Sequence, residues 1–69
     1  MSDNERAIMQ AMEKALRNTA EKHAARALAA TDEVIKRTEQ HQYDMNTFAA
    51  VTVYKLIKQL DDYERHGHT

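Results

Sequence analysis

The side chains with chemistry to offer are four His, eleven Asp or Glu, ten Lys or Arg, three Tyr and the Ser and Thr hydroxyls; there is no Cys. Nucleophilic catalysis would need Ser2, a threonine or a lysine beside a base, and no local spacing supplies that pair. Asp61 and Asp62 are adjacent, so on a helix they diverge by about 100° and cannot work as a paired acid and base. Neither Glu-x-x-His nor His-Glu-x-x-His occurs, and a single Gly rules out a glycine-rich phosphate loop. His66 and His68 could hold a transition metal weakly, but they read better as part of a short flexible tail over residues 66–69. The expectation is a chain that is not an enzyme, with no metal and no cofactor.

The elements that carry these side chains are helical. Residues 2–40 contain no Gly or Pro and are rich in Ala, Leu, Met, Glu, Lys and Arg, which lose least on entering a helix. Ser2 followed by Glu5 forms a capping box, and Asp3 and Glu5 suit the positive end of the helix dipole. A first helix over residues 3–40 is expected, then a polar turn over 41–44 and a second helix over 45–65, closed by Gly67. Val51-Thr52-Val53 weakly suggests a strand, but the apolar period across the second run is helical.

In the first run one stripe gathers Ile8, Met9, Met12, Leu16, Thr19, His23, Ala27, Ala30 and Val34, with Ala15 and Ala20 beside it. Arg6, Arg17, Glu21 and Glu39 fall opposite and read as a solvated face. Glu13 with Arg17, Asp32 with Lys36 and Glu33 with Arg37 sit at i,i+4 in the favourable order. Leu28 and Ile35, with Ala24 and Thr31, form a second apolar line. A contact with another chain would explain it, as would a break near residues 30–31 with Thr31 as N-cap. The break would give a three-helix bundle; the lack of Gly or Pro there favours one continuous helix. In the second run Met45, Ala49, Val53, Leu56, Leu60 and Tyr63 make the main stripe, with Ile57 at its edge and Phe48, Val51 and Tyr54 off it.

The fold class is therefore all-α, a long helix–turn–shorter helix hairpin. A short second helix would leave Ile8, Met9, Met12 and Leu16 uncovered, which a second copy packed by two-fold symmetry would remedy. The expected homodimeric bundle has an interface of Ile8, Met9, Met12, Leu16, Thr19, His23 and Ala27. Thr19 and His23 interrupt it as a polar layer of the kind that sets register, with His23 a satisfied interfacial histidine.

Sixty-nine residues make a single domain with a modest core, no run approaches the roughly 20 apolar residues of a membrane span, and the acidic N-terminus is unlike a secretory signal. A cytoplasmic protein is expected. Net charge is −1 with the signs well mixed, so no basic arm announces nucleic acid. The surplus apolar surface instead points to a small protein–protein interaction module. On architecture alone this resembles bacterial or phage regulators and inhibitors that bind and sequester a transcription factor or enzyme. Leu28, Ile35, Phe48, Val51, Tyr54, Lys55 and Lys58 are its candidate partner-binding residues. Two alternatives stand beside it: an RNA-binding hairpin dimer using Lys55, Lys58 and Arg65 with Phe48 and Tyr54, and a purely structural oligomerisation module. A membrane-surface helix is disfavoured, because such helices carry basic polar faces and bulky aromatics.

Overall fold

The structure, a computed structural model, describes residues 1–66. Two helices account for almost all of it: α1, Asp3–Ala29, and α2, Glu33–His66. α1 begins as its sequence dictates. Ser2 accepts from the Glu5 amide at 3.1 Å, and the Glu5 carboxylate accepts from the Ser2 amide at 3.0 Å, closing the capping box.

The chain reverses at residues 30–32, so the continuous helix over 3–40 is not formed. Ala30 takes an extended conformation (φ −73°, ψ 134°) and its amide still reaches the Ala27 carbonyl at 3.4 Å. Asp32 then starts α2: its Oδ1 accepts from the amides of Val34 at 2.8 Å and Ile35 at 3.2 Å. Two otherwise orphaned helix donors are satisfied by one carboxylate. The N-cap is thus Asp32 and not Thr31, and the turn needs neither Gly nor positive φ, of which the described residues contain none.

The expected turn over 41–44 lies inside α2, and residues 45–65 are only its C-terminal part. His41, Gln42, Tyr43 and Asp44 are polar but contain no helix breaker, and Gln42 is half-buried against α1. The three-helix alternative is right about the break and wrong about a second one. Gly67 and His68 lie outside the described residues; His66 is the last, exposed residue of α2.

Moving the turn changes the proportions. α1 is about 40 Å long and α2 about 51 Å at 1.5 Å per residue, in a molecule whose Cα extents are 57 × 18 × 10 Å. α2 therefore runs beside the whole of α1, and the uncovered N-terminal overhang does not exist. Nested pairings show the helices to be antiparallel: His23 meets Glu39, Arg6 meets Asp61, and the N-terminal amine meets Glu64.

The seam in α1 is Arg6, Met9, Glu13, Leu16, Ala20, His23, Ala27 and Ala30, in alternating steps of three and four. In α2 it is Glu39, Gln42, Asn46, Ala50, Val53, Ile57, Leu60 and Glu64. Its buried members among the described residues are Ala20, Ala27, Ala50 and Ile57. Small residues let the backbones approach, but they bury little apolar area. Two readings of solvated residues are corrected here. Arg6 and Glu39 are drawn to the seam by Asp61 and His23, partners that exist only once the chain has folded back.

Candidate interaction surface

The two flanks of the seam differ in chemistry. On one flank α1 presents Arg17, Glu21, Ala24 and Leu28, and α2 presents Lys36, Gln40, Tyr43 and Thr47; shallow grooves lined by both helices place these residues together. Further along lie Tyr54, Lys58, Asp61 and Arg65, with the Lys58 ammonium 5.5 Å from the centre of the Tyr54 ring, a cation–π contact. Arg6 forks onto Asp61, Nη1 donating to Oδ2 at 2.6 Å and Nη2 to Oδ1. That guanidinium hydrogen bond holds the Asp61 carboxyl below its ordinary range, and the carboxylate in turn raises Arg6. This flank is charged towards Arg6, Asp61 and Arg65 and apolar near the turn, where Ala24, Ala27, Leu28 and Tyr43 meet.

The other flank follows from helical geometry, one step round from the seam in the opposite sense. In α1 it carries Ile8, Met12, Ala15 and Thr19, and in α2 Thr38, Met45, Ala49, Thr52, Leu56, Gln59 and Tyr63, with Gln42 on the border it shares with the seam. Not one of these twelve is Asp, Glu, Lys or Arg, in a chain where such residues make up 30%; beyond them the α1 line turns charged, at Glu5 on one end and at Lys22 and Arg26 on the other. Ile8, Met12, Met45 and Leu56 are each 44–54% exposed. The three threonines hide their polarity. Thr19, Thr38 and Thr52 each donate their hydroxyl to the carbonyl four residues back, at 2.9 Å, and offer methyl groups outward. This face could be covered without stranding a threonine hydroxyl.

Of the residues expected in a dimer interface, Met9, Leu16, His23 and Ala27 face α2 of the same chain, whereas Ile8, Met12 and Thr19 lie on the uncharged flank. His23 Nδ1 lies 2.5 Å from Glu39 Oε2, so its polar partner is within the hairpin. The expected partner-binding residues divide among several places. Phe48, 73% exposed, and Lys55 lie on the outer side of α2, Tyr54 and Lys58 on the charged flank, and the half-buried Val51 between them. Leu28, 87% exposed, and Ile35 sit near the turn, where Leu28, Ala24, Ala27 and Tyr43 line a groove of about 270 Å³. Sequence reasoning put Met45, Ala49, Leu56 and Tyr63 on one stripe with Val53 and Leu60, and missed that they form a separate uncharged line with Thr38, Gln42, Thr52 and Gln59. Its signal was legible: alternating steps of three and four with no charge over seven turns.

Lys55, Lys58 and Arg65 do not form an uninterrupted basic strip, since Asp62 lies among them and Asp61 faces Arg65. Among the described residues no cluster of His, Asp or Glu is arranged to hold a metal ion, and no helix is long and apolar enough to cross a membrane. Comparison with protein-family models, with curated proteins and with solved structures finds no match to this chain.

Proposed function

We propose that this chain is a small, non-enzymatic protein–protein interaction module that works as a homodimer. It pairs through its uncharged flank and offers the outer side of α2 to a second protein. One observation carries the reading: too much apolar surface is left out. Eleven large apolar side chains are exposed among the described residues, against four buried residues of which three are Ala. A compact monomer of 8.0 kDa exposes about 4,450 Å²; this hairpin exposes 5440 Å². The excess, about 1,000 Å² of total surface, apolar and polar together, is of the size one partner contributes to a standard protein interface, about 800 Å². A second copy is the occupant whose concentration always equals that of the chain.

Regulation by occupying the surface of another cytoplasmic protein fits this build. Phe48, Val51 and Tyr54, bordered by Lys55 and Lys58, provide an aromatic and aliphatic anchor with a basic rim, as binding hot spots do. The test is solution mass by light scattering over a concentration series, followed by a photo-crosslinking residue at Phe48 in the host cell. A dimer that links to one protein at Phe48, and loses the link in Tyr54→Ala while remaining dimeric, is the expected result. A monomer with no protein adduct would overturn the reading. Salt-sensitive capture of RNA through Lys55 and Lys58 would replace it with the nucleic-acid alternative.

A further inference from the structure

The uncharged flank is long and narrow, and two helical hairpins laid flank to flank can be related by a two-fold axis in two ways. With the axis along the helices, α1 of one copy covers α2 of the other. With the axis across the helices, α1 covers α1 and α2 covers α2, both antiparallel. The charges at the ends of the α1 line discriminate between them.

That line reads Glu5, Ile8, Met12, Ala15, Thr19, Lys22, Arg26, in steps of three and four. It is apolar or small in the middle, acidic at one end and basic at the other. A two-fold axis crossing it near Ala15 brings Glu5 opposite the partner's Arg26, and Met12 opposite the partner's Thr19. Glu5 and Arg26 are both exposed, and neither is ion-paired within the chain among the described residues. The α2 line obeys the same operator. Three of the four pairs equidistant from its midpoint between Ala50 and Val51 match in size and polarity or nearly so, Met45 with the partner's Leu56, Ala49 with the partner's Thr52 and Gln42 with the partner's Gln59, while the outermost pair sets Thr38 against the partner's Tyr63. That midpoint stands close to the level of Ala15, since the Arg6–Asp61 and His23–Glu39 pairings put Ala15 opposite residues 49–50. One axis serves both helices. The lengthwise axis would instead set Glu5 and Arg26 against the charge-free α2 line and leave both without a counter-charge.

We infer that the second copy docks across the uncharged flank with the two-fold axis perpendicular to the helices at Ala15, forming an antiparallel four-helix bundle closed at each end by a Glu5–Arg26 pair between subunits. The inference rests on the homodimer reading and specifies its geometry. The small side chain of Ala15 marks the close approach on the axis, and the aliphatic stem of Lys22 lies along the partner's Ile8.

The test uses charge exchange between two full-length chains. Glu5→Arg alone sets two Arg–Arg contacts in its homodimer, and Arg26→Glu alone sets two Glu–Glu contacts, so each should self-associate about tenfold more weakly or worse. Mixed in equal amounts they should form a heterodimer of near wild-type affinity, since both ends are then complementary. Glu5→Arg also disturbs the capping box, but loss of helix alone would not be rescued by the other chain. Independently, Ala15→Cys should form a disulfide-linked dimer on mild oxidation, and Lys14→Cys should not; the natural chain has no Cys to interfere. A wild-type dimer with no rescue on mixing and no link through position 15 would overturn this geometry while leaving the homodimer reading intact. A wild-type chain that is monomeric at every concentration would overturn both.

Discussion

Leu56 and Ile57 are neighbours in α2 that face different partners, and truncating each to Ala separates a lone hairpin from an associated one. Ile57 is 7% exposed, covered by α1 of its own chain. Ile57→Ala should cost about 2–5 kcal/mol in any oligomeric state. Leu56 is 44% exposed, on the uncharged flank. In a lone hairpin a little over half of it is covered, so Leu56→Ala should cost about 0.6 of what Ile57→Ala costs, roughly 1–3 kcal/mol. In the bundle a second copy covers the rest, and the two truncations should cost the same per chain to within about 0.5 kcal/mol. The assay is thermal unfolding by circular dichroism at several protein concentrations, with mass measured on the same samples. The expected result is a cost ratio near one and a Tm that rises with concentration. A ratio near 0.6 together with a concentration-independent Tm would refute the covered flank.

Other outcomes follow from the same geometry. Asp32→Ala removes both N-cap bonds at the turn and should destabilise the protein by about 1 kcal/mol, read from denaturant melts, whereas Thr31→Ala should have little effect. The Asp61 carboxyl is held below its ordinary range by the Arg6 hydrogen bond, and Glu5 by the Ser2 amide and hydroxyl. A carboxyl depressed in the folded state contributes fully above the ordinary carboxylate range and loses that contribution as pH falls below it. Tm should therefore drop on acidification below about pH 4, and Asp61→Asn should make the drop shallower. His23→Leu and Glu39→Leu should each destabilise by leaving a half-buried polar group unpaired. The double replacement should equal or exceed the wild type in Tm, because an apolar pair needs no desolvation.

The sequence by itself determined the class of local structure and where it starts. Residues that lose little in a helix fill the chain, and Ser2 with Glu5 sets the first turn through bonds between near neighbours; these are local facts. It also narrowed the motifs on offer: the chain has no Cys, a single Gly and neither a Glu-x-x-His nor a His-Glu-x-x-His spacing. The turn was decided at a larger scale. Residues 30–32 carry neither Gly nor Pro, and residues 41–44 are the more polar run, so local preference favoured the wrong place. Placing the break at Asp32 lets α2 run along the whole of α1, and interhelical packing outweighs a small difference in propensity. The same event chose between two adjacent stripes. Met9, Leu16, His23 and Ala27 meet α2, while Ile8, Met12 and Thr19 are left on the flank, a distinction of one step round the helix that only a partner helix can make. Arg6 and Glu39 look like solvent-facing charges until Asp61, 55 residues away, and His23, 16 residues away, come opposite them. Periodicity names the candidates for burial; the position of the second helix selects among them, because burial is a property of pairs of surfaces and not of either one alone.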